Sequence, residues 1–158
     1  MKTLVVYYSY SGNTKYIAEQ IAQYLNADII SLEPVIPYSS DYDTVVAQGQ
    51  EEVGRNYKSE LKPISLDIAN YDRIIIGTPT WWYKMASPVL TFLSQNDFSN
   101  KNIALFMTNA GWPGTVIKDM KELCNNANII GTKEFEFSSD ISKITKDEIR
   151  AWTDSLKQ

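Results

Sequence analysis

The sequence predicts an α/β protein in which a doubly wound, five-stranded parallel sheet carries helices on both faces. Three observations support this: short apolar runs alternate with amphipathic helical patterns, several of the runs are apolar without interruption, and no repeat or interdomain linker breaks the alternation. Strands that are covered on both faces read as continuous apolar runs. Right-handed crossovers favour the strand order 2-1-3-4-5, within one domain over residues 1–158.

In the first half of the chain, two apolar runs alternate with two helical patterns. The strands are predicted at Leu4–Tyr8 and Ala27–Leu32, and the helices at Tyr16–Leu25 and about Asp41–Tyr57. A proline-containing loop separates the second strand from the second helix. The residues expected on the buried face of the second helix are Val46, Val53 and Tyr57.

The second half continues with three strands and three helices. The helix after the third strand is predicted to have Ser87 as its N-cap residue, ahead of Pro88. A capping box that begins at Thr145 predicts the start of the last helix, and Asp140 before it is expected to be solvated. The fifth strand is expected to be broken near Gly131. The strands are predicted at Arg73–Gly77, Ile103–Met107 and Ile129–Phe137.

The residues best suited to chemistry follow the first, third and fourth strands. In a doubly wound sheet the carboxyl ends of these strands lie at one edge, where the strand order reverses and ligands bind. We therefore expect the segments Ser9–Thr14, Thr78–Tyr83 and Thr108–Gly114 to converge on one site.

The first of these segments is suited to binding an anion. It places three hydroxyls, Gly12 and Asn13 at a helix start, where unpaired backbone N–H groups and the helix dipole favour negative charge. No Lys or Arg lies between Thr3 and Thr14, so neutral dipoles would bind the ligand. This favours a tightly held cofactor phosphate over a phosphate in transfer, which needs cations or a metal. An ordinary N-cap is the open alternative.

The other two segments carry aromatic side chains. Trp81, Trp82 and Tyr83 are consecutive, and Trp112 lies in a glycine-containing turn. Stacking on aromatic side chains contributes about 1–3 kcal/mol per nucleic-acid base, so we expect a ligand with a phosphate tail and a flat aromatic head. Successive side chains of an extended segment point to opposite sides, so one indole of the pair is expected in the core. Trp112 is explained equally well as a surface cap or as a ligand contact.

Composition excludes several other classes of function. The chain has no histidine and one cysteine, Cys124, which we expect to be buried and inert. Histidine-based catalysis and Cys/His metal sites are therefore excluded, and we predict no catalytic side chain and no metal. The net charge of −4 disfavours nucleic acid, and no apolar stretch is long enough for a membrane span. Without a recognisable signal peptide, the expected location is cytoplasmic.

The motif Ser-x-Ser-Gly-Asn-Thr after the first strand resembles the phosphate loop of flavodoxins. The similarity continues through Glu33–Tyr38, Asp41-Tyr42 and the Thr78–Trp82 loop, which reads Thr-Pro-Thr-Trp-Trp, and covers nearly the whole chain. This resemblance implies a flavodoxin-like fold that binds FMN non-covalently.

The resemblance also implies which residues contact FMN. Those that would bind its phosphate are Ser9, Ser11, Gly12, Asn13 and Thr14. Those that would flank the isoalloxazine ring are Pro79, Thr80, Trp81, Trp82 and Tyr83. Those that would border the other edge of the ring are Thr108, Asn109, Ala110 and Gly111.

One position departs from the flavodoxin pattern. Flavodoxins often have glycine directly after the tryptophan pair, where a flexible peptide turns toward the N5 atom of the reduced flavin, whereas this chain has Tyr83. A side chain disfavours positive φ, so we expect Tyr83 not to provide that conformation. Lys84 would offset the negative charge of the phosphate if its ammonium points at the ring.

The first functional hypothesis is a low-potential electron carrier that exchanges electrons with a redox partner protein. In such a protein the flavin supplies the redox chemistry and the chain supplies binding and electrostatics. The alternative is an NAD(P)H-dependent FMN quinone reductase, whose partner would be a small quinone. A phospho-receiver of the same topology is disfavoured because it needs clustered acids where this chain has Ser9-Tyr10-Ser11.

Overall fold

The computed structural model of the protein describes residues 1–137, 144 and 146–157, so Thr145 and Asp140 lie outside the described residues. Strands and helices alternate along this part of the chain. The strands are β1 Thr3–Tyr7, β2 Asp28–Ser31, β3 Arg73–Trp81, β4 Lys84–Met85, β5 Asn102–Asn109 and β6 Asn128–Glu136. The helices are α1 Asn13–Leu25, α2 Tyr42–Gly54, α3 Ser87–Gln95, α4 Val116–Leu123 and α5 Lys146–Ser155, with a short 3₁₀ turn at Ile68–Asn70.

The main sheet has the order β2-β1-β3-β5-β6, and each neighbouring pair is parallel. This confirms the predicted order 2-1-3-4-5 for the five long strands. The short strand β4 was not predicted, and it pairs antiparallel with the end of β3. The expectation of a single domain stays a prediction.

Period-two alternation in the central strands builds two apolar layers, one on each face of the sheet. Ile74 and Ile76 of β3 face a layer completed by α3 and α4. Ile75, between them, faces the layer that contains α1 and α5. Residues Ile74 to Ile76 are fully buried, as the uninterrupted apolar run indicated.

The break expected in the last strand near Gly131 is not present, and the strand instead contains an extra residue there. Ile103 of β5 pairs with Ile129, whereas Ala104 pairs with Gly131, so Ile130 is left between two successive pairs. Such a β-bulge adds a residue without ending the strand, and β6 continues to Glu136.

Two local predictions about the helices were wrong. Ala86, not Ser87, is the N-cap residue of α3. The Ser87 hydroxyl instead donates to the carbonyl oxygen of Tyr57 at 2.6 Å and accepts from the N–H of Ser59 at 2.9 Å. It therefore connects α3 to the chain that leaves α2.

The buried face of α2 also differs from the predicted one. The buried residues are Val45, Gly49 and Glu52, whereas Val46 and Val53 are only half-buried. The physical reason is that α2 packs against the tryptophans at the end of β3, so its buried side is set by the shape of that surface and not by its most apolar stripe.

Cys124 is buried beside α4, and burial raises the pKa of its thiol to about 11, which agrees with an inert role. Among the helices of the described residues, none has the length and apolar character required to cross a membrane.

Candidate functional site

The first loop leaves backbone N–H groups exposed at the start of α1. Gly12 is the N-cap residue with φ 104°, and in the described part of the chain no side chain caps this helix. The Ser9 hydroxyl accepts from the N–H of Gly12 at 3.2 Å, which closes the turn. The first intrahelical bond runs from the N–H of Tyr16 to the oxygen of Gly12. The N–H groups of Asn13, Thr14 and Lys15 precede it and are therefore available to an anion.

The hydroxyl of Thr14, which was expected at the anion site from the sequence, contacts another side chain. Its side chain is buried, and its Oγ1 lies 2.8 Å from Oγ1 of Thr108 at the end of β5. The hydroxyl thus joins the first and third loops. Its backbone N–H, at the start of α1, is the group of Thr14 that we expect to contact the phosphate.

The second loop is a β-hairpin whose two turn residues both have positive φ. Trp82 has φ 50° and Tyr83 has φ 68°, and Trp81 pairs with Lys84 on either side of them. Positive φ at both central residues is the property of a type I′ turn, which normally selects Asn-Gly. The expectation that Tyr83 would avoid positive φ was wrong, because the pairing of β3 with β4 requires it.

The hairpin rests on the third loop. The Thr115 N–H donates to the oxygen of Tyr83 at 3.2 Å, and a Cβ on Gly114 would lie 2.2 Å from that oxygen. Lys84 Nζ contacts Asp119 Oδ2 at 3.1 Å and Thr115 Oγ1 at 2.9 Å. The ammonium of Lys84 therefore binds residues at the start of α4. It does not point toward the expected position of the isoalloxazine ring, as was considered from the sequence.

The third loop is ordered by its own asparagine. Asn109 Oδ1 accepts from the N–H of Gly111 at 2.8 Å, and the Asn109 carbonyl accepts from the N–H of Phe137 at 2.7 Å. Gly111 has φ 108°. Ala110 and Trp112 are exposed, and Trp112 does not line the cavity described next.

The three loops enclose a cavity of about 500 Å³ at the carboxyl edge of the sheet, which we call the switch-point cavity. Of the predicted site residues, its lining includes Ser11, Asn13, Pro79, Thr80, Trp81, Trp82, Thr108, Asn109 and Ala110. The predicted residues that are not among its lining residues are Ser9, Gly12, Thr14, Tyr83 and Gly111.

Six further lining residues were not among the predicted site residues: Tyr10, Tyr42, Val45, Val46, Gly49 and Phe137. Four of them belong to α2, which lies along one wall. A Cβ on Gly49 would lie 3.4 Å from Cε3 of Trp81 and 3.8 Å from Cδ1 of Trp82. A glycine in the middle of a predicted helix destabilises it and so indicates a packing reason. Gly49 was the one sequence signal that could have placed α2 at the site.

The two tryptophans have different environments, but Trp82 belongs to the turn and not to the extended segment on which the prediction was based. Trp81 is half-buried and packs against the core, in T-shaped contact with three tyrosine rings. Trp82 is 42% exposed, and its indole N–H donates to the carbonyl oxygen of Val46 on α2 at 2.9 Å. Both tryptophans line the cavity.

The cavity suits a flat ligand with an anionic tail. Its volume lies within the roughly 300–1,000 Å³ of small-molecule sites, and aromatic walls with a few polar groups are typical of them. No charged side chain is among its lining residues in the described part of the chain, and the N–H groups at the start of α1, where Asn13 lines the cavity, carry partial positive charge. Within the described residues there is also no cluster of side chains that could hold a metal ion.

Solved structures share this architecture. A flavoprotein of Bacteroides uniformis superposes with a TM-score of 0.82 at 22% identity, covering 97% of each chain. A flavoprotein of Lactobacillus acidophilus in complex with FMN superposes with a TM-score of 0.74 at 26% identity, covering 96% of this chain and 98% of that one. A parallel sheet of this order, with a cavity at its switch point, is the flavodoxin-like fold.

The family model described as Flavodoxin matches residues 2–156, and the chain belongs to the flavodoxin family. A curated relative, the NAD(P)H dehydrogenase (quinone) of Cupriavidus metallidurans, is 31% identical over 102 residues. That match covers 60% of this chain and 46% of the relative, so the chain spans about half the length of the curated relatives that it matches.

Proposed function

We propose that this flavodoxin binds FMN in the switch-point cavity and acts as a low-potential electron carrier for a redox partner protein. The observation that carries the proposal is the combination, in one cavity, of a helix start with unpaired N–H groups and a wall of two indoles. The likeness to a flavoprotein that contains FMN supports the same cofactor. A cytoplasmic location remains the expectation from the sequence.

The residues of the cavity have separable tasks in this proposal. Ser11, Asn13 and the backbone N–H groups at the start of α1 would bind the phosphate. Trp81 and Trp82 would flank the ring, and Thr80, Asn109 and the backbone of the third loop would border its polar edge. FMN supplies the electron transfer. Because the lining residues bring no cation to the ring, negative charge gained on reduction is not neutralised, which lowers the reduction potential.

Titration of the purified protein with FMN, followed by absorbance and fluorescence, tests the cofactor and the phosphate loop together. Ser11 is the position to change, because it is exposed and lines the cavity, whereas Thr14 is buried against Thr108. In Ser11→Glu the added carboxylate would face the phosphate, and we expect FMN binding to weaken by about tenfold or more.

Gln23→Glu is the matched control, since it adds the same charge at an exposed position further along α1. It should leave the FMN affinity unchanged. Riboflavin lacks the phosphate, so Ser11→Glu should weaken the binding of riboflavin far less than the binding of FMN. A wild-type protein that takes up no FMN would overturn the proposal, and an unchanged FMN affinity in Ser11→Glu would overturn the phosphate assignment.

The second candidate function is NAD(P)H-dependent quinone reduction at the same flavin. It is favoured by the names of the curated relatives, which are 31–33% identical to this chain over their matched parts. The electron carrier is preferred because no charged side chain lines the cavity in the described residues, whereas a nicotinamide dinucleotide brings a diphosphate that cationic side chains usually bind.

A further inference from the structure

Trp81 packs at the cavity against three tyrosine rings, each in a T-shaped arrangement. The ring centroid of Tyr38 lies 4.9 Å from that of Trp81 at an interplanar angle of 87°. Tyr8 lies at 5.7 Å and 87°, and Tyr10 at 6.3 Å and 76°. Edge-to-face pairs at these distances are attractive and directional. The orientation of Trp81 therefore depends on where these three rings are held.

The ring that packs closest to Trp81 is fixed by a buried carboxylate. The Tyr38 hydroxyl donates to Oε1 of Glu52 at 2.6 Å, and Gln48 Nε2 donates to the other carboxylate oxygen at 3.3 Å. Tyr38 comes from the loop after β2, whereas Glu52 and Gln48 belong to α2. The bond thus ties a loop with no regular structure to a helix.

Glu52 is not explained by the stability of the helix alone. Glu52 is 5% exposed, and its carboxylate makes no ion pair with a Lys or Arg of the described residues. Burial of a carboxylate without a cation is unfavourable, and an apolar residue at the same position would avoid that penalty. Hydrogen bonds donated by Tyr38 and Gln48 to its two carboxylate oxygens offset part of this penalty.

The same side of α2 also contacts both tryptophans. Gly49, one turn before Glu52, packs on Trp81 and Trp82, and the Val46 carbonyl, a further turn before, accepts from Trp82 Nε1. Residues three apart on a helix lie on one face. Val46, Gly49 and Glu52 therefore lie on one side of α2, where the first two contact the tryptophan pair and Glu52 contacts Tyr38.

We propose that Glu52 is a positioning residue of the cofactor site, which acts through the Tyr38 hydroxyl to hold the indole of Trp81 in the orientation that the cofactor ring requires. This rests on the proposed function, because the ring in question is that of FMN. It assigns a role to the Glu33–Tyr38 segment, which contributes no residue to the lining of the cavity itself.

The Tyr38 hydroxyl remains a donor over the working pH range. Burial, and then the hydrogen bond to Glu52, raise the pKa of Tyr38 far above its usual range, so the phenol keeps its proton. The phenol therefore keeps the proton that it donates to Glu52, and substitutions are the appropriate way to remove the bond.

The experiment compares Tyr38→Phe, Glu52→Gln and the double variant with the wild type. One readout is the near-ultraviolet circular dichroism of the FMN-free protein, which reports how tryptophan rings are held. The other is the dissociation constant of FMN. We expect Tyr38→Phe to change the spectrum and to weaken FMN by about threefold to tenfold, the factor for one net hydrogen bond. Because both substitutions act on one bond, the double variant should be no worse than the weaker-binding single variant.

A second tyrosine–carboxylate pair provides matched controls. The Tyr71 hydroxyl donates to Oδ2 of Asp28 at 2.6 Å, at the amino end of the sheet, away from the cavity. Tyr71→Phe and Asp28→Asn therefore remove the same kind of bond at the same distance. They should leave both the spectrum and the FMN affinity close to those of the wild type.

The possible results separate the two proposals. If the wild type binds no FMN, the proposed function fails, whereas a changed spectrum in Tyr38→Phe still supports the positioning of Trp81. If Tyr38→Phe and Glu52→Gln match the wild type in both readouts, or behave as the Tyr71 and Asp28 variants do, the role of Glu52 is overturned. In a Trp81→Phe background the Tyr38→Phe substitution should no longer change the spectrum, and a persisting change there would contradict the route through Trp81.

Discussion

At the scale of the residue, the strand that leads to the second loop requires a glycine at position 77. Gly77 lies on β3 just before the second loop, and a Cβ there would lie 2.1 Å from Cζ of Phe106. Phe106 is fully buried on the neighbouring strand β5, with Phe135 and Trp152 around its ring. The aromatic ring occupies the space that a side chain at position 77 would need.

We therefore expect Gly77→Ala to destabilise the protein by about 1–3 kcal/mol, since the core would have to shift to admit one methyl group. Urea denaturation measures the effect. Gly54→Ala is the control, because Gly54 ends α2 with no other atom within 4 Å of an added Cβ. It should be neutral or stabilise by up to about 1 kcal/mol. Equal stabilities of the two variants would contradict the steric argument.

At the scale of the element, the β3–β4 hairpin holds two bulky residues in the left-handed region. Trp82 and Tyr83 are kept there by the strand pairing, by the bond from Trp82 to Val46 and by the bond from Thr115 to Tyr83. Left-handed conformations of residues with a Cβ are unfavourable by roughly 1–2 kcal/mol each. Such conformations persist where the surroundings fix them, and they concentrate at functional sites.

A comparison of two variants at one position isolates this strain. Tyr83→Gly and Tyr83→Ala both remove the half-exposed ring, so their difference reflects the backbone conformation. We expect the glycine variant to be more stable by about 1 kcal/mol in thermal or urea unfolding. At Gln50, an exposed position within α2, the order should reverse, with alanine more stable than glycine by about 1 kcal/mol. The same order at both positions would exclude positive φ at Tyr83.

At the scale of the whole molecule, the arrangement of charge distinguishes an electron carrier from a reductase. Lys84, the cation nearest in sequence to the tryptophan pair, contacts Asp119 and Thr115. Lys15, at the start of α1, is exposed and pairs with Glu19 at 3.9 Å. The described cavity thus offers neutral dipoles to one phosphate but no cation for the diphosphate of a nicotinamide dinucleotide.

We accordingly expect the FMN-loaded protein to show no sustained oxidation of NADH or NADPH in the presence of a quinone. The measurement is the steady-state loss of nicotinamide absorbance, with chemical reduction of the bound flavin as the control that it is redox-active. Addition of an NAD(P)H-dependent reductase should start electron flow. Turnover without that reductase would favour the quinone reductase instead.

Local periodicity accounts for most of what the sequence could predict. The strand order, the convergence of the three loops and the position of the anion loop follow from apolar runs, helix stripes and hydroxyls whose meaning is set within a few residues. The predicted third strand ended at Gly77, because the residues that follow are polar. In the structure β3 continues to Trp81, and its pairing with β5 extends to the pair of Pro79 with Thr108. The pairing of Thr80 and Trp81 with β4 could not be read from composition.

The sequence by itself determined a flavodoxin-type sheet and the loops that form the site, because those features depend on side-chain patterns along neighbouring residues. Only the tertiary structure decided that α2 lies against Trp81 and Trp82, that Tyr38 bonds to Glu52 and that Lys84 turns to Asp119. These contacts join residues separated by 14 to more than 30 positions. They arise from how packed elements meet in space, which no local pattern encodes.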